Sequence, residues 1–328
     1  MPLLRLLFVA VLLIASASCK HTPQPYPRGQ GPSSEELLEA TRPRVQAISV
    51  PNARVVADRV ARADLGFIAQ SPNRFRGSIT RSGNELVTLA LHEEGYALRY
   101  LLDELPAGFY AGPSDPCAVE ALMGVELAPE GLVALVLGGS PIIDPPLTVI
   151  DQGWDRREAH ERLVIANARY VQELRFSRTE GRWVFSGSAL YRRDESPRRW
   201  RRRRDPGELV WSLVHESFEQ VDDHLLPGET TLRAPGRRRD HRIVITYRDR
   251  VLDPPWARRA PAPTARPGSE PDDPGEEDPW DEGEWENEAE PTPTPTPQPQ
   301  PEPEPEPAIP EVFLLQPTGL PQRGDLCR

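Results

Sequence analysis

The chain has 328 residues, enough for two ordinary domains, but 39 of them are proline, which excludes a chain packed throughout its length. Its net charge of −11 belongs to one stretch: residues 267–322 hold sixteen Asp and Glu and no Lys or Arg. Taking those sixteen from the total of 50 leaves 34 acidic against 39 basic residues, so the remainder is mildly basic and the overall acidity implies no partner for it. Lys20 is the sole lysine, an arginine bias that fits a GC-rich genome and carries no binding function of its own.

The chain opens on a targeting segment, residues 1–18. Arg5 supplies the positive end and Leu6 to Ile14 an apolar run of signal-peptide length, too short to span a bilayer. Ala15-Ser16-Ala17-Ser18 places small residues before Cys19. The pattern resembles a bacterial lipoprotein signal, which implies diacylation of Cys19 and a membrane anchor. Ser16 stands where such signals carry Leu. The alternative is ordinary cleavage near Ala15 to Ala17, with a free thiol left at Cys19. Either route exports the protein. Lys20 after Cys19 is not the Asp that retains many enterobacterial lipoproteins in the inner membrane, so that rule favours the outer membrane, facing the periplasm.

Residues 19–32 read as a flexible tether, with Pro23, Pro25, Pro27, Gly29 and Gly31. Folding is expected from Ser33, where Ser33 and Glu36 have capping-box spacing. Leu37, Leu38, Thr41, Val45 and Ile48 follow at helical intervals, with Pro43 set to bend or shorten the helix. Val50 to Gln70 reads as one or two strands.

From Ser71 to Pro141 the pattern is clearest. Asn73 to Thr80, Glu85 to His92 and Tyr96 to Leu101 form three antiparallel strands, with turns at Ser82-Gly83-Asn84 and Glu94-Gly95. Two helices follow, one opened by Asp115-Pro116, the other by Ala128-Pro129-Glu130 and stopped at Gly138-Gly139. The runs Ser71 to Ile79, Gly108 to Asp115 and Leu127 to Pro141 together resemble the LolA/LolB-like fold of bacterial lipoprotein localisation factors, and most closely LolB-like envelope lipoproteins. The resemblance covers about residues 33 to 255. It implies an α+β fold: a curved antiparallel open β-barrel closed by short helices around an apolar cavity.

Beyond it, Thr148 to Arg157 reads as a loop or strand edge, and Ala168 to Arg178 with Arg182 to Arg192 as a hairpin around Glu180-Gly181. An arginine-rich run around Trp200 interrupts the sheet. Leu209 to Val221, Glu229 to Leu232 and Ile243 to Tyr247 resume it. This gives a folded domain over 33–255. Residues 256–310 are low-complexity, acidic and Pro-rich, and read as a disordered insertion. Residues 311–328 return: Val312 to Leu315 is abruptly apolar and is expected as an edge strand. That return brings Cys327 near the domain, and with Cys117 beside the helix start at Asp115, two thiols in an oxidising compartment are expected to pair. Two unpaired cysteines are the alternative.

Chemistry is sparse. The six histidines are scattered, without metal-ligand spacing, and no nucleophile elbow, P-loop or dinucleotide fingerprint occurs. No cofactor, metal site or catalytic set is read, so the protein is expected not to be an enzyme. Asp222-Asp223-His224 reads as a turn, and the acidic runs between Asp272 and Glu282 as solvated chain, not as a calcium loop. Arg198, Arg199, Trp200 and Arg201 are candidate headgroup contacts; they also fit contact with the acidic insertion, or a solvated loop. Export excludes nucleic acid as a physiological partner. Phe75, Ile79, Val87, Leu89, Leu91, Leu98 and Tyr100 make one apolar face of the meander. It is either ordinary core or, as the resemblance implies, the lining of a cavity for lipid or lipoprotein acyl chains. Two functions remain: an acyl-chain binder in lipoprotein trafficking, or a structural lipoprotein whose acidic Pro-rich segment binds an envelope partner.

Overall fold

A computed structural model describes residues 22–57, 62–102, 105–125, 127–193, 207–236, 240–257 and 309–327. The signal segment, Cys19, the run containing Arg198 to Arg201 and the insertion over 258–308 lie outside the described residues.

One sheet dominates. In chain order its strands are β1 (Ala47–Ala57), β2 (Ala63–Gln70), β3 (Arg74–Arg81), β4 (Asn84–His92), β5 (Gly95–Tyr100), β6 (Gly108–Gly112), β7 (Thr148–Asp155), β8 (His160–Ala166), β9 (Tyr170–Thr179), β10 (Arg182–Arg192), β11 (Glu208–Glu216), β14 (Glu229–Ala234), β15 (His241–Leu252) and β16 (Gln322–Gly324). Strands β12 (Glu219–Val221) and β13 (His224–Leu226) form a separate small hairpin. The sheet order is β16-β6-β5-β4-β3-β2-β1-β15-β14-β11-β10-β9-β8-β7. All pairs are antiparallel except β16 with β6. The outermost strands β16 and β7 do not pair with each other, so among the described residues the sheet is open and forms no closed barrel.

The hairpins are set by local chemistry. Ser82 and Gly83 both have positive φ, as do Glu180 and Gly181, the two-residue geometry whose twist matches that of the flanking strands. The meander registers as its alternation requires, with Phe75 opposite Leu91 and Leu89 opposite Leu98. The Asp222-Asp223 pair is a hairpin turn between β12 and β13, with Asp222 at φ 50°.

Among the described residues three α-helices accompany the sheet: α1 (Ser34–Ala40), α2 (Pro116–Met123) and α3 (Pro129–Val136). The Ser33 side chain caps α1, accepting from the Glu36 amide at 3.0 Å. The helix is shorter than its apolar spacing suggested. Pro43 has no amide hydrogen and disfavours helical backbone before it; α1 stops at Ala40, and Ile48 is already in β1. Asp115 caps α2 and Gly124 ends it in a left-handed conformation. Helix α3 is apolar almost all round, with Pro129, Leu132, Val133, Leu135 and Val136 buried, as suits a helix packed into a core. It lies against β2, β3 and α2. Gly138, at φ 82°, turns the chain out of α3. A Cβ at Gly139 would stand 2.7 Å from the Thr41 carbonyl oxygen, so only glycine lets this turn meet the end of α1.

The C-terminal return differs from its expectation. Glu311–Phe313 is a 3₁₀ turn, not an edge strand. It lies against β3 and β4, buries Phe313 completely and stacks it edge-on to Trp256 at 5.3 Å. A strand would spread these side chains over two faces; the turn puts the largest one inward. The strand that does join the sheet is β16, which begins nine residues after Phe313, and beyond it Cys327 is disulfide-bonded to Cys117 at a Cα–Cα distance of 5.9 Å.

The segment read as a tether is also placed. Residues 22–32 lie along the β7–β10 part of the sheet, held by bonds to Arg156, Trp154, Arg178, Glu161 and Gln152.

Candidate functional site

The candidate site is a cleft of about 530 Å³ between α3 and the strands β9 to β11. Its size falls within the roughly 300–1,000 Å³ of small-molecule pockets. Tyr170, Leu190, Val210 and Trp211 of the three strands line it. Leu127, Ala128, Glu130, Gly131 and Ala134 contribute from α3 and its approach, and Pro116 from the start of α2. The remaining wall is a strap, Ser140 to Asp144. Two carboxylates, Glu130 and Asp144, are among the lining groups, and both are exposed.

The strap is fixed at its first residue and along its middle. The Ser140 amide donates to the Thr41 carbonyl at 2.9 Å. Fully buried Gln172 of β9 holds the middle: its Nε2 donates to the Pro141 carbonyl at 2.6 Å and to Ser188 Oγ at 2.9 Å, and its Oε1 accepts from the Ile143 amide at 3.1 Å. A buried amide with three of its four hydrogen-bonding positions filled favours one arrangement of the strap over others.

A second buried polar chain holds the end of α3. Tyr247 OH donates to Thr230 Oγ1 at 3.1 Å, Thr230 Oγ1 and His215 Nδ1 are 2.9 Å apart, and His215 Nε2 lies 3.2 Å from the Gly139 carbonyl. The carbonyl can only accept, so His215 carries its proton on Nε2 and accepts at Nδ1 from Thr230. Burial pushes the His215 pKa down to about 4 and the Tyr247 pKa up to about 12, which keeps both groups neutral. This chain is structural: its members have no place in the cleft lining.

The residues named from sequence divide. Phe75, Val87, Leu89, Leu91, Leu98 and Tyr100 are at most 3 % exposed, and Ile79 packs partly buried against them. They belong to the continuous core, and none lines the cleft described above. Cys117 and Cys327 are brought together. With Asp115 they form a cluster of metal-ligand types, but both sulfurs are committed to the disulfide, so the cluster offers no thiolate. Of the described histidines, His160 and His215 are buried and none lines the cleft. Cys19 and Arg198, Arg199, Trp200 and Arg201 lie outside the described residues. The lining itself was missed. Its available signal is Pro141-Ile142-Ile143 followed by Pro145-Pro146, an apolar pair between prolines that no helix or strand pattern absorbs.

No family model and no curated protein sequence matches the chain. Solved structures similar to it are an outer membrane lipoprotein-sorting protein domain from Vibrio parahaemolyticus, a LolA superfamily protein from Nitrosomonas europaea and a DUF1329 family protein from Desulfovibrio piger. The first is 12 % identical with a TM-score of 0.44, covering 68 % of this chain and 94 % of that one. The second is 10 % identical with a TM-score of 0.41 and the same coverages. The third is 10 % identical with a TM-score of 0.42, covering 65 % of this chain and 88 % of that one.

Proposed function

We propose that the protein is a non-catalytic envelope lipoprotein, anchored through diacylated Cys19, that takes acyl chains of lipid or lipoprotein into the cleft between α3 and β9 to β11. The cleft carries the reading: it is preformed, mostly apolar, and bounded by a strap that buried Gln172 holds in place. Binding is noncovalent. Each methylene that leaves water contributes roughly 0.8 kcal/mol, so a chain lodged only in part is already held. Among the described residues the lining has carboxylates and no Arg, Lys or His, so it repels a free fatty acid and accepts neutral or amine-bearing headgroups. The resemblance of the sequence to LolB-like lipoproteins adds trafficking toward the outer membrane as the setting.

The test is mass spectrometry of lipid extracted from protein purified from membranes, with uptake of a fluorescent acyl probe measured beside it. Co-purified diacyl lipid and saturable uptake are expected. Lipid-free protein that takes up no probe would leave a scaffold lipoprotein acting through its acidic Pro-rich segment.

A further inference from the structure

Two residues, Lys20 and His21, separate Cys19 from Thr22, where the chain meets the sheet. The Thr22 amide donates to the Arg156 carbonyl at 2.9 Å, and Trp154 Nε1 donates to the Thr22 carbonyl at 3.0 Å. The segment stays docked from there. Arg178 Nη1 donates to the Pro25 carbonyl, Tyr26 OH to Glu161 Oε2 and Gln152 Nε2 to the Pro32 carbonyl, each at 2.6 Å. Tyr26 also meets Trp183 edge-on, with ring centroids 5.9 Å apart. The three chain steps from Cys19 to Thr22 span at most about 11 Å. An anchor at Cys19 therefore holds the turn between β7 and β8 within about that distance of the membrane surface, whereas a free tether of residues 19–32 would let the domain drift several times farther.

The strand at this margin is the outermost of its side of the sheet. Residues 144–150 are exposed without a break, with Leu147 at 37 %, Val149 at 44 % and Ile150 at 45 %. This edge is poorly suited to receive another strand. Pro145 and Pro146 have no amide hydrogen, and the pairing of β7 with β8 shifts register between Val149 and Asp151; both features blunt an edge against strand addition. An apolar surface that cannot extend the ladder suits a partner that needs only side chains, and a bilayer is such a partner. The other end of β7 offers Trp154, half-buried, and exposed Arg156 and Arg157, residue types that settle at headgroup level and are drawn to anionic lipid. The neighbouring Asp155 carboxylate is engaged by the Arg157 and Glu158 amides.

We propose that the β7 edge is the membrane-facing surface of the protein, with the docked segment 22–32 acting as a strap that sets its orientation and Leu147, Val149 and Ile150 entering the interface. The proposal rests on the lipid anchor at Cys19, and the experiment separates the two.

Lipidated full-length Val149→Cys and Asn84→Cys are each labelled with an environment-sensitive fluorophore; Cys117 and Cys327 are paired and leave the new thiol free. Position 84 is exposed on β4, with nine strands between it and β7. Both proteins are reconstituted in liposomes of phosphatidylethanolamine and phosphatidylglycerol that carry a lipid-borne quencher. Co-flotation with the liposomes reads the anchor, and quenching reads the orientation. Severalfold stronger quenching and a blue shift at 149 relative to 84 are the expected result, reduced by Tyr26→Phe combined with Trp183→Ala while flotation persists. Flotation with equal quenching at both positions overturns the orientation and spares the anchor. Loss of flotation overturns both. Thiol crosslinking between copies through position 149, with no quenching there, assigns the edge to a second copy and overturns the proposal.

Discussion

Gln172 on β9 and Ile143 in the strap are 29 residues apart in sequence, and the Ile143 amide donates to the Gln172 side-chain oxygen at 3.1 Å inside a fully buried site. The same side chain holds the Pro141 carbonyl. Removing it strands an amide and a carbonyl in the interior, each costing roughly 1–3 kcal/mol. Gln172→Ala is expected to lower the unfolding free energy by about 2–4 kcal/mol and to weaken acyl-probe uptake through a loosened strap. Urea denaturation and probe titration check the two effects. Unchanged uptake in the destabilised variant would separate the strap from binding.

The core and the cleft make opposite predictions for added bulk. Leu89 is fully buried, and Leu89→Trp is expected to cost about 1–3 kcal/mol by overpacking, with little change in probe affinity at temperatures where the variant is folded. Ala134 lines the cleft and is only half-buried. Ala134→Phe fills the space and is expected to reduce uptake severalfold with a small change in melting temperature. If Leu89→Trp abolished uptake and Ala134→Phe did not, the binding site would be the meander face.

The Cys117–Cys327 bond closes a loop with a sequence separation of 210. In the chain-entropy model such a loop constrains the unfolded state by about 5 kcal/mol. Cys327→Ser is expected to lower stability by up to that amount and to free the C-terminal segment to proteolysis. A non-reducing peptide map should show the linked peptides, and alkylation of both cysteines without reduction would contradict the bond.

His215 gives the fold an acid-sensitive point. Its pKa falls from 6.5 to about 4 on folding because burial disfavours the cation, offset in part by the bond to the Gly139 carbonyl. Between those values the unfolded state binds the proton and the native state does not, so stability rises with pH. The contribution is complete above about pH 6.5 and is lost as pH falls toward 4, amounting to about 3 kcal/mol. Denaturation midpoints measured across that window should show a slope that His215→Gln reduces. A variant with the same slope as the wild type would place the acid sensitivity elsewhere.

Cys19→Ser tests the anchor. The expected outcome is release into the soluble periplasmic fraction or accumulation of the uncleaved precursor, read by fractionation and intact mass. Unchanged membrane fractionation with an unchanged mature mass would remove the lipoprotein reading.

The sequence determined by itself whatever depends on neighbours in the chain. Alternation over Glu85 to His92, paired positive-φ turns at Ser82-Gly83 and Glu180-Gly181, and the Ser33 and Asp115 caps are local, so the meander, the second hairpin and the helix starts were legible. The apolar face of Phe75, Leu89 and Leu98 was legible too, but period-two burial looks the same whether the face meets a core or a cavity. The tertiary structure places these side chains in one buried cluster, with α3 lying against β2 and β3. It also decided where the cleft lies, since Gln172, Trp211 and the strap come from segments far apart in sequence and share no period. The docked segment 22–32 and the 3₁₀ turn at Phe313 were hidden for the same reason. A Pro-rich stretch is extended either way, and whether it hangs free or lies on a sheet depends on a Glu161 more than a hundred residues away.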